Sequence, residues 1–207
     1  MNLYERHILP HVIDCACGTE AFRQQRAITV PQASGIVLDL GVGTGRNLEH
    51  YDTARVRNIL GINPCRKSLA IAARRAEQLG LPFTPIIAGG EQLPLESASV
   101  DCIVLTFTLC TIPDADAALS EMRRVMKTNS MLLFCEHSVA EQGGLAWVQR
   151  ATNPVWRRLF GGCQLTRNPI HLMETNGFHI VQKNARRVKG APAPVSNHVH
   201  GTARLVL

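Results

Sequence analysis

Short apolar runs alternate along the chain with segments in which apolar residues recur at helical spacing. Runs of this length and composition are typical of strands that are buried in a sheet. The runs that predict strands cover residues 36–41, 57–62, 84–88, 100–107 and 130–136, and further strands are expected near 178–183 and 199–206. The pattern therefore predicts strands separated mainly by helices.

Two of the intervening segments carry clear helix signals. Residues 66–79 are rich in strong helix formers and stop before Gly80, and residues 114–127 begin at Asp114, a residue type that caps helix N-termini. Strands that alternate with helices predict an α/β fold, in which a parallel sheet is covered on both faces. In such open sheets, ligands bind at the carboxyl ends of the strands.

Two other segments do not fit this alternation. Residues 1–34 are expected to form a helical cover over the ligand site, and residues 141–175 a helical insertion that roofs the substrate pocket. The stretch 189–197 has two prolines and a glycine, which predict a loop before the last strand. The length of 207 residues fits one domain, 1–207.

The first predicted strand runs into a loop with three glycines at alternate positions, Gly41, Gly43 and Gly45. Glycine lets a backbone pass close to a ligand where a Cβ atom would collide. In the G-x-G-x-x-G loop of dinucleotide folds the third glycine comes one residue later, so an NAD oxidoreductase is disfavoured. Asp39 inside the strand supplies a negative charge beside the loop, with Asn47 just beyond it. A cationic ligand is favoured, and the common biological one is the sulfonium S-adenosylmethionine.

Composition and charge limit the partners of the chain. The net charge of +6 is mild and aromatic residues are not interleaved with the basic groups, so we expect no nucleic-acid binding and at most a weak attraction to an anionic membrane surface or substrate. No signal peptide or membrane-length apolar run is visible, which favours a cytoplasmic protein. Seven cysteines without a C-x-x-C pair favour free thiols, and eight scattered histidines predict no metal site.

The D-x-G-x-G-x-G pattern of residues 39–45 resembles the first motif of class I S-adenosylmethionine-dependent methyltransferases. Together with residues 63–64 and 93–101, it is similar to the ubiquinone- and menaquinone-biosynthesis type. Further segments resemble the branch that contains the thiol S-methyltransferases and its bacterial members, at 6–11, 16–18, 134–137, 153–156, 162–167 and 195–201. The resemblance implies a Rossmann-like fold, with a central, mostly parallel seven-stranded sheet and helices on both faces, and S-adenosyl-L-methionine as the cofactor.

The resemblance also implies where the cofactor binds, and this chain departs from the family pattern at two points. After the second strand, Asn63 and Pro64 stand where an acidic residue normally accepts both ribose hydroxyls. An amide oxygen accepts one hydroxyl well, so we expect binding weaker by about 1–2 kcal/mol. Gly89 stands where many relatives hold the adenine amino group with an aspartate. The residues expected to bind the cofactor are Asp39, Gly41, Gly43, Gly45, Asn47, Asn63, Pro64, Gly90, Glu91, Gln92 and Thr106.

Two histidines are candidates for a general base. His137 after the fifth strand and His198 near the last strand flank the expected pocket, and histidine titrates near neutral pH, although either could only bond to the backbone. The leading hypothesis is methyl transfer to a small acceptor, with a thiol as first choice and a phospholipid amine or a quinone carbon as alternatives. The departures at Asn63 and Gly89 leave a non-catalytic S-adenosylmethionine-binding module as a further alternative. The oligomeric state does not follow from the sequence.

Overall fold

The computed structural model describes residues 8–206, without the side chains of Leu9 and Pro10. The first seven residues of the predicted N-terminal cover therefore lie outside the described part of the chain. The strands are β1 (Gly35–Leu40), β2 (Val56–Ile62), β3 (Phe83–Ile86), β4 (Val100–Thr106), β5 (Met126–His137), β6 (Phe178–Arg187) and β7 (Asn197–Leu205). The α-helices of the described residues are α1 (Leu9–Cys17), α2 (Glu20–Thr29), α3 (Arg66–Gln78), α4 (Ala115–Val125), α5 (Gly144–Leu159) and α6 (Pro169–Thr175).

All seven strands join one sheet in the order β3-β2-β1-β4-β5-β7-β6. The five strands β1 to β5 run parallel, while β7 pairs antiparallel with both β5 and β6. The strand order reverses between β1 and β4, which creates a crevice at their carboxyl ends. The predicted α/β fold, with a mostly parallel seven-stranded sheet, is confirmed.

Alternate residues of the strands face two separate hydrophobic cores. Leu38 and Leu40 of β1 pack into the core that α4 covers, to which that helix contributes Leu119 and Met122. The neighbouring residue Val37 packs into the other core, which includes alanines of α3. Both faces of the sheet are thus covered by helices, which explains why the strands read as continuous apolar runs.

The predicted helices are present, but one boundary differs from the prediction. Asp114 caps α4, because its side chain accepts a hydrogen bond of 2.9 Å from the backbone N–H of Ala117. The helix ends at Val125 instead of residue 127, and β5 begins at once with Met126 instead of residue 130. Met126 pairs in register with Val100 of β4, and this pairing draws the chain into the sheet early.

Candidate functional site

A cavity of about 620 Å³ opens at the carboxyl ends of the first four strands. Its wall includes residues 40–44 after β1, 62–65 after β2, 88–91 after β3 and 106–108 after β4. The opposite side is formed by Ile13, Asp14 and Cys17 of α1, by Arg26 of α2 and by Gly161 and Gly162 after α5. The volume is within the range of pockets that hold a small ligand.

Most of the residues expected to bind the cofactor meet at this cavity. Those in its wall are Gly41, Gly43, Asn47, Asn63, Pro64, Gly90, Glu91 and Thr106. Asp39, Gly45 and Gln92 are not in the wall. Asp39 instead bonds to Asn47, and the backbone N–H of Gly45 donates to the carbonyl oxygen of Val42 at 2.9 Å; Asn47 and Val42 are both in the wall.

The three glycines of the loop have different roles. Gly41 has a φ of +74°, and a Cβ atom there would lie 2.2 Å from Cγ2 of Thr108. Gly43 has a φ of +56°, and its Cβ position is open, since the nearest atom is 3.8 Å away. A Cβ on Gly45 would lie 2.6 Å from Cδ1 of Leu48 and 3.1 Å from Cα of Ala72, both residues of the hydrophobic core. Of these three glycines, Gly43 is the one that presents bare backbone to open space in the cavity.

Asp39 holds the side chain of Asn47 in the cavity wall. The Asn47 amide nitrogen donates to both carboxylate oxygens of Asp39, at 2.9 and 3.1 Å, and the Tyr51 hydroxyl donates at 3.0 Å. The Asn47 oxygen accepts from the Thr106 hydroxyl at 3.0 Å, so Asn47 is fixed between β1 and β4. Complete burial raises the pKa of Asp39 to about 6, although the hydrogen bonds from Asn47 and Tyr51 oppose the shift.

The structure gives a physical context for the two departures from the family pattern. The side-chain oxygen of Asn63 already accepts a hydrogen bond of 2.9 Å from the backbone N–H of Cys65. At Gly89, a Cβ atom would lie 2.7 Å from a carboxylate oxygen of Glu91. The Glu91 carboxylate therefore occupies the space that a side chain at position 89 would take, and it brings a negative charge to that part of the wall.

Helix α1 is fastened to the glycine loop by an acidic residue. Asp14 forms salt bridges with Arg46 of the loop at 2.5 Å and with Arg75 of α3 at 3.1 Å, and it accepts a hydrogen bond from the Thr44 hydroxyl. Burial raises the pKa of Asp14, but the hydrogen bonds from Arg46, Arg75 and Thr44 outweigh it and hold the pKa well below its usual range. The carboxylate is thus charged at neutral pH, and α1 closes one side of the cavity.

The two histidines predicted as bases lie beside the cavity and not in its wall. They pair across β5 and β7, where His137 is opposite His198. His198 is fully buried, and its Nε2–H donates to the carbonyl oxygen of Val195 at 2.7 Å. Burial lowers the pKa of His198 to about 4, so its ring is neutral at physiological pH.

His137 faces two cysteines that the sequence did not bring together. Its Nε2 atom lies 3.2 Å from the sulfur of Cys163, and the ligand atoms of Cys110, His137 and Cys163 all lie within 4.8 Å of one another. We call these three residues the Cys–His–Cys cluster. The sequence predicted no cluster of metal-ligand residues, because the three positions come from the ends of β4, β5 and α5 and share no local spacing.

Glu136 holds the turn that carries Cys110. One of its carboxylate oxygens accepts hydrogen bonds from the backbone N–H groups of Thr108 and Leu109, at 2.7 and 3.0 Å. Burial raises the pKa of Glu136 to about 7, against the effect of these two hydrogen bonds. Phe107, at the start of the turn, has a φ of +51°, a strained value for a side-chain-bearing residue. Glu136 therefore helps to fix an unusual backbone next to the cavity.

The chain is similar in sequence and in fold to known methyltransferases. Residues 38–134 match the family model described as a methyltransferase domain. Thiol S-methyltransferase TMT1B of Rattus norvegicus is 31% identical over 188 residues, which cover 89% of this chain and 76% of the relative. Phosphatidylethanolamine N-methyltransferase of Cereibacter sphaeroides is 30% identical, covering 64% of this chain and 66% of the relative. A solved geranyl diphosphate methyltransferase has a TM-score of 0.68 at 13% identity, covering 90% and 85% of the two chains.

The chain belongs to the class I S-adenosylmethionine-dependent methyltransferases. The sheet order, the glycine loop after β1 and the cavity at the strand ends agree with this assignment, and the family resemblance noted from the sequence is confirmed. An enzyme of this class replaces the alternatives of a non-catalytic module and an NAD oxidoreductase. Among residues 8–206, no helix has the length and apolar character needed to cross a bilayer.

Proposed function

We propose that the protein transfers a methyl group from S-adenosyl-L-methionine to a small thiol. The observation that carries the choice of acceptor is Arg26, a buried cation in the cavity wall. Its Nη1 donates to the carbonyl oxygen of Cys17 at 2.7 Å, and its Nε has no partner among the described residues. A guanidinium group in this position favours the thiolate form of an acceptor, which is the nucleophilic form.

The residues of the cavity fit the methyl donor. The open Cβ position of Gly43 leaves room for a ligand against the backbone, and the charge of Asp39 reaches the wall through Asn47. We assign the methionine part of the donor to Gly41, Gly43 and Asn47, with Asp39 and Gly45 as supports. The ribose is assigned to Asn63 and Pro64, and the adenine to Gly90, Glu91 and the adjoining Gln92. Thr106 positions Asn47.

Methyl transfer to a thiol needs little help from a general acid or base. The donor supplies an activated methyl on a sulfonium, and the rate depends on holding the acceptor about 3–3.5 Å from that methyl, in line with the leaving sulfur. A free thiol with a pKa of about 8.5 is already partly ionised at neutral pH. His137 and His198 stay predictions as general bases, and an amine or carbon acceptor would need a base more than a thiol does.

The segments outside the alternating pattern are proposed to exclude water from the site. Helix α1 is held over the glycine loop by Asp14, and Gly161 and Gly162 bring the end of α5 to the cavity. A dry pocket favours methyl transfer because charge is dispersed in the transition state. We propose that residues 1–34 and 141–175 act in this way as parts of a single domain, 1–207, in a cytoplasmic protein.

A screen of acceptors tests the proposed function. The purified chain is incubated with S-adenosylmethionine and with hydrogen sulfide, small alkyl thiols, a phospholipid amine or a quinone, and S-adenosylhomocysteine release is measured. Turnover on thiols at least tenfold above the other acceptors is expected, and Arg26→Gln should lower it while Arg26→Lys retains more. Absence of thiol turnover, with S-adenosylmethionine bound, would reject the thiol acceptor.

A second candidate, an acceptor at a membrane surface, is favoured by the outer face of α5. Trp147, Val155 and Leu159 follow one another at helical spacing and are 68%, 62% and 49% exposed. The exposed side chains of Arg150 and Arg158 flank this stripe. An apolar stripe with basic neighbours is typical of a helix that lies on an anionic bilayer. We propose weak peripheral binding, which would bring the chain to apolar thiols or lipid amines.

Vesicle sedimentation tests the membrane contact. The chain should bind vesicles that contain anionic lipid, and the double variant Trp147→Glu, Val155→Glu should lose most of this binding. Val181→Glu, on β6, is the matched control, because Val181 is 53% exposed but lies on another element. Equal loss in the control, or no binding by the parent chain, would argue against the contact.

A further inference from the structure

The Cys–His–Cys cluster is buried inside the fold. Cys110, His137 and Cys163 are 4%, 3% and 8% exposed, and each comes from a different part of the fold. The two turns that carry the cysteines are joined directly, since the backbone N–H of Gln164 donates to the carbonyl oxygen of Cys110 at 2.9 Å. The positions of the sulfur atoms are therefore fixed by backbone pairing and do not depend on side-chain contacts alone.

Arg167 strengthens the same junction. Its Nη1 donates to the carbonyl oxygens of Leu109 and of Ile112, the latter at 2.8 Å. Leu109 also donates its N–H to Glu136, so both polar groups of its backbone are used to shape the turn around Cys110. Glu136 precedes His137, and its remaining oxygen is buried without a partner among the described residues, as is Nδ1 of His137. The hydrogen bonds of Gln164, Arg167 and Glu136 thus preorganise the turn that carries Cys110.

The distances in the cluster suit a tetrahedral ion. Zinc bonds of about 2.3 Å to sulfur and 2.0–2.1 Å to nitrogen place neighbouring ligand atoms roughly 3.5–3.8 Å apart. The cluster brackets these values, with 3.2 Å between His137 Nε2 and Cys163 Sγ and no separation above 4.8 Å among its three ligand atoms. Small rotamer changes would admit an ion without moving the backbone.

The ligand types of the cluster also suit a metal. Two sulfur atoms and one imidazole select soft or borderline ions such as Zn²⁺ over Mg²⁺ or Ca²⁺.

We propose that Cys110, His137 and Cys163 form a binding site for one Zn²⁺-class ion. Three protein ligands leave the fourth position of a tetrahedron for an exogenous ligand, as in catalytic zinc sites. Thr111, next to Cys110, and Gly162, next to Cys163, both line the cavity. The fourth ligand, a water molecule or a thiol, comes from this side. Binding would also use the Nε2 atom of His137, which excludes a role of that atom as a general base.

Metal titration of the chain tests this site. The chain is reduced, freed of metal with a chelator and titrated with Zn²⁺ against a chromophoric competitor, and with Co²⁺ to follow sulfur-to-cobalt charge-transfer absorption. One ion per chain is expected, with charge-transfer intensity that corresponds to two thiolate ligands. Cys163→Ser and His137→Gln should each weaken binding at least 100-fold, and Cys110→Ser should halve the charge-transfer intensity.

Two controls separate a built site from other causes. Cys102→Ala removes a buried cysteine that lies in β4 outside the cluster, and it should leave the stoichiometry and affinity unchanged. Circular dichroism establishes that each variant is folded. If Cys163→Ser does not fold, the halved charge-transfer intensity expected of Cys110→Ser carries the test, and full intensity in that variant would overturn the proposal. No Zn²⁺ binding by the folded, fully reduced chain would overturn the proposal. Binding that is unchanged in both cluster cysteine variants would do the same.

Discussion

The Nε2 atom of His137 lies 3.2 Å from the sulfur of Cys163, although the two residues are 26 positions apart. One ends β5 and the other follows α5, so the contact exists only because the chain after α5 returns to the carboxyl edge of the sheet. The cavity for the methyl donor and the Cys–His–Cys cluster are neighbours at this edge.

Gly41 and Gly43 should respond differently to the same substitution. Gly41→Ala places a Cβ atom 2.2 Å from Thr108 at a positive φ, and we expect a loss of about 2–4 kcal/mol in unfolding free energy. Gly43→Ala has open space, so its stability loss should be only about 1–2 kcal/mol. Its affinity for S-adenosylmethionine should fall at least tenfold, because the methyl group enters the cavity. Thermal unfolding and calorimetry with S-adenosylmethionine measure both effects. Full affinity in Gly43→Ala would contradict our placement of the donor.

Asn63→Asp should tighten the binding of S-adenosylmethionine. One carboxylate oxygen can keep the hydrogen bond to the Cys65 N–H, while the other accepts a ribose hydroxyl with a full charge. The expected gain is about 1–2 kcal/mol, or roughly 5- to 30-fold in the dissociation constant. Calorimetry measures it. Asn58→Asp adds the same charge on β2, where Asn58 bonds to Thr84, and should have no effect on affinity. Equal affinities of parent and Asn63→Asp would show that Asn63 does not meet the ribose.

Asp14→Asn should loosen α1 from the glycine loop. The variant loses its salt bridges to Arg46 and Arg75, and we expect a stability loss of about 1–2 kcal/mol together with at least fivefold weaker donor binding. Asp101→Asn is the matched control, since Asp101 pairs with Arg57 and Lys127 away from the cavity. The control should lose stability but keep its affinity, as judged by thermal unfolding and calorimetry. A similar loss of affinity in both variants would mean that α1 has no specific role.

Asp39 should make stability depend on pH between about 4 and 6. The pKa of Asp39 is raised from 3.8 to about 6 in the folded protein, so the folded state holds a proton there that the unfolded chain has lost. The unfolding free energy should therefore fall as pH rises through this window, by about 3 kcal/mol at most, and level off above pH 7. Denaturant titrations at several pH values measure the slope. Asp39→Asn should lack this contribution, and parallel curves for the two proteins would contradict the assignment.

Much of the framework could be predicted from local pattern. The predicted helix 66–79 became α3, the glycine loop lies at the carboxyl end of β1, and the strands appear within a few residues of their predicted positions. Periodicity and glycine placement act over a few residues, so they are visible without knowledge of the fold. The boundary between α4 and β5 was wrong, because the pairing of Met126 with Val100 is a long-range contact.

The local sequence pattern could not predict which side chains contact one another. Asp39 was expected next to the ligand, but the structure encloses it between Asn47 and Tyr51. The cavity is therefore lined by the Asn47 side chain, to which Asp39 is hydrogen-bonded, and not by the carboxylate itself. The cysteines were expected to be free thiols, and Cys110 and Cys163 are free and buried in the structure. Their approach to each other and to His137 depends on three chain segments that meet only in the folded sheet.

The sequence by itself thus determined the fold class, the family and the edge of the sheet where the methyl donor is expected, because alternating strands and helices and a glycine-rich turn are local properties. Only the tertiary structure decided which groups share that edge. Asp14 fastens α1 to the glycine loop, Glu91 fills the space beside Gly89, and three distant segments form the Cys–His–Cys cluster. These contacts join residues that are distant in sequence or whose side-chain directions follow from packing. Such contacts are set by the register of the sheet and the return path of the chain, and no spacing along the sequence encodes them.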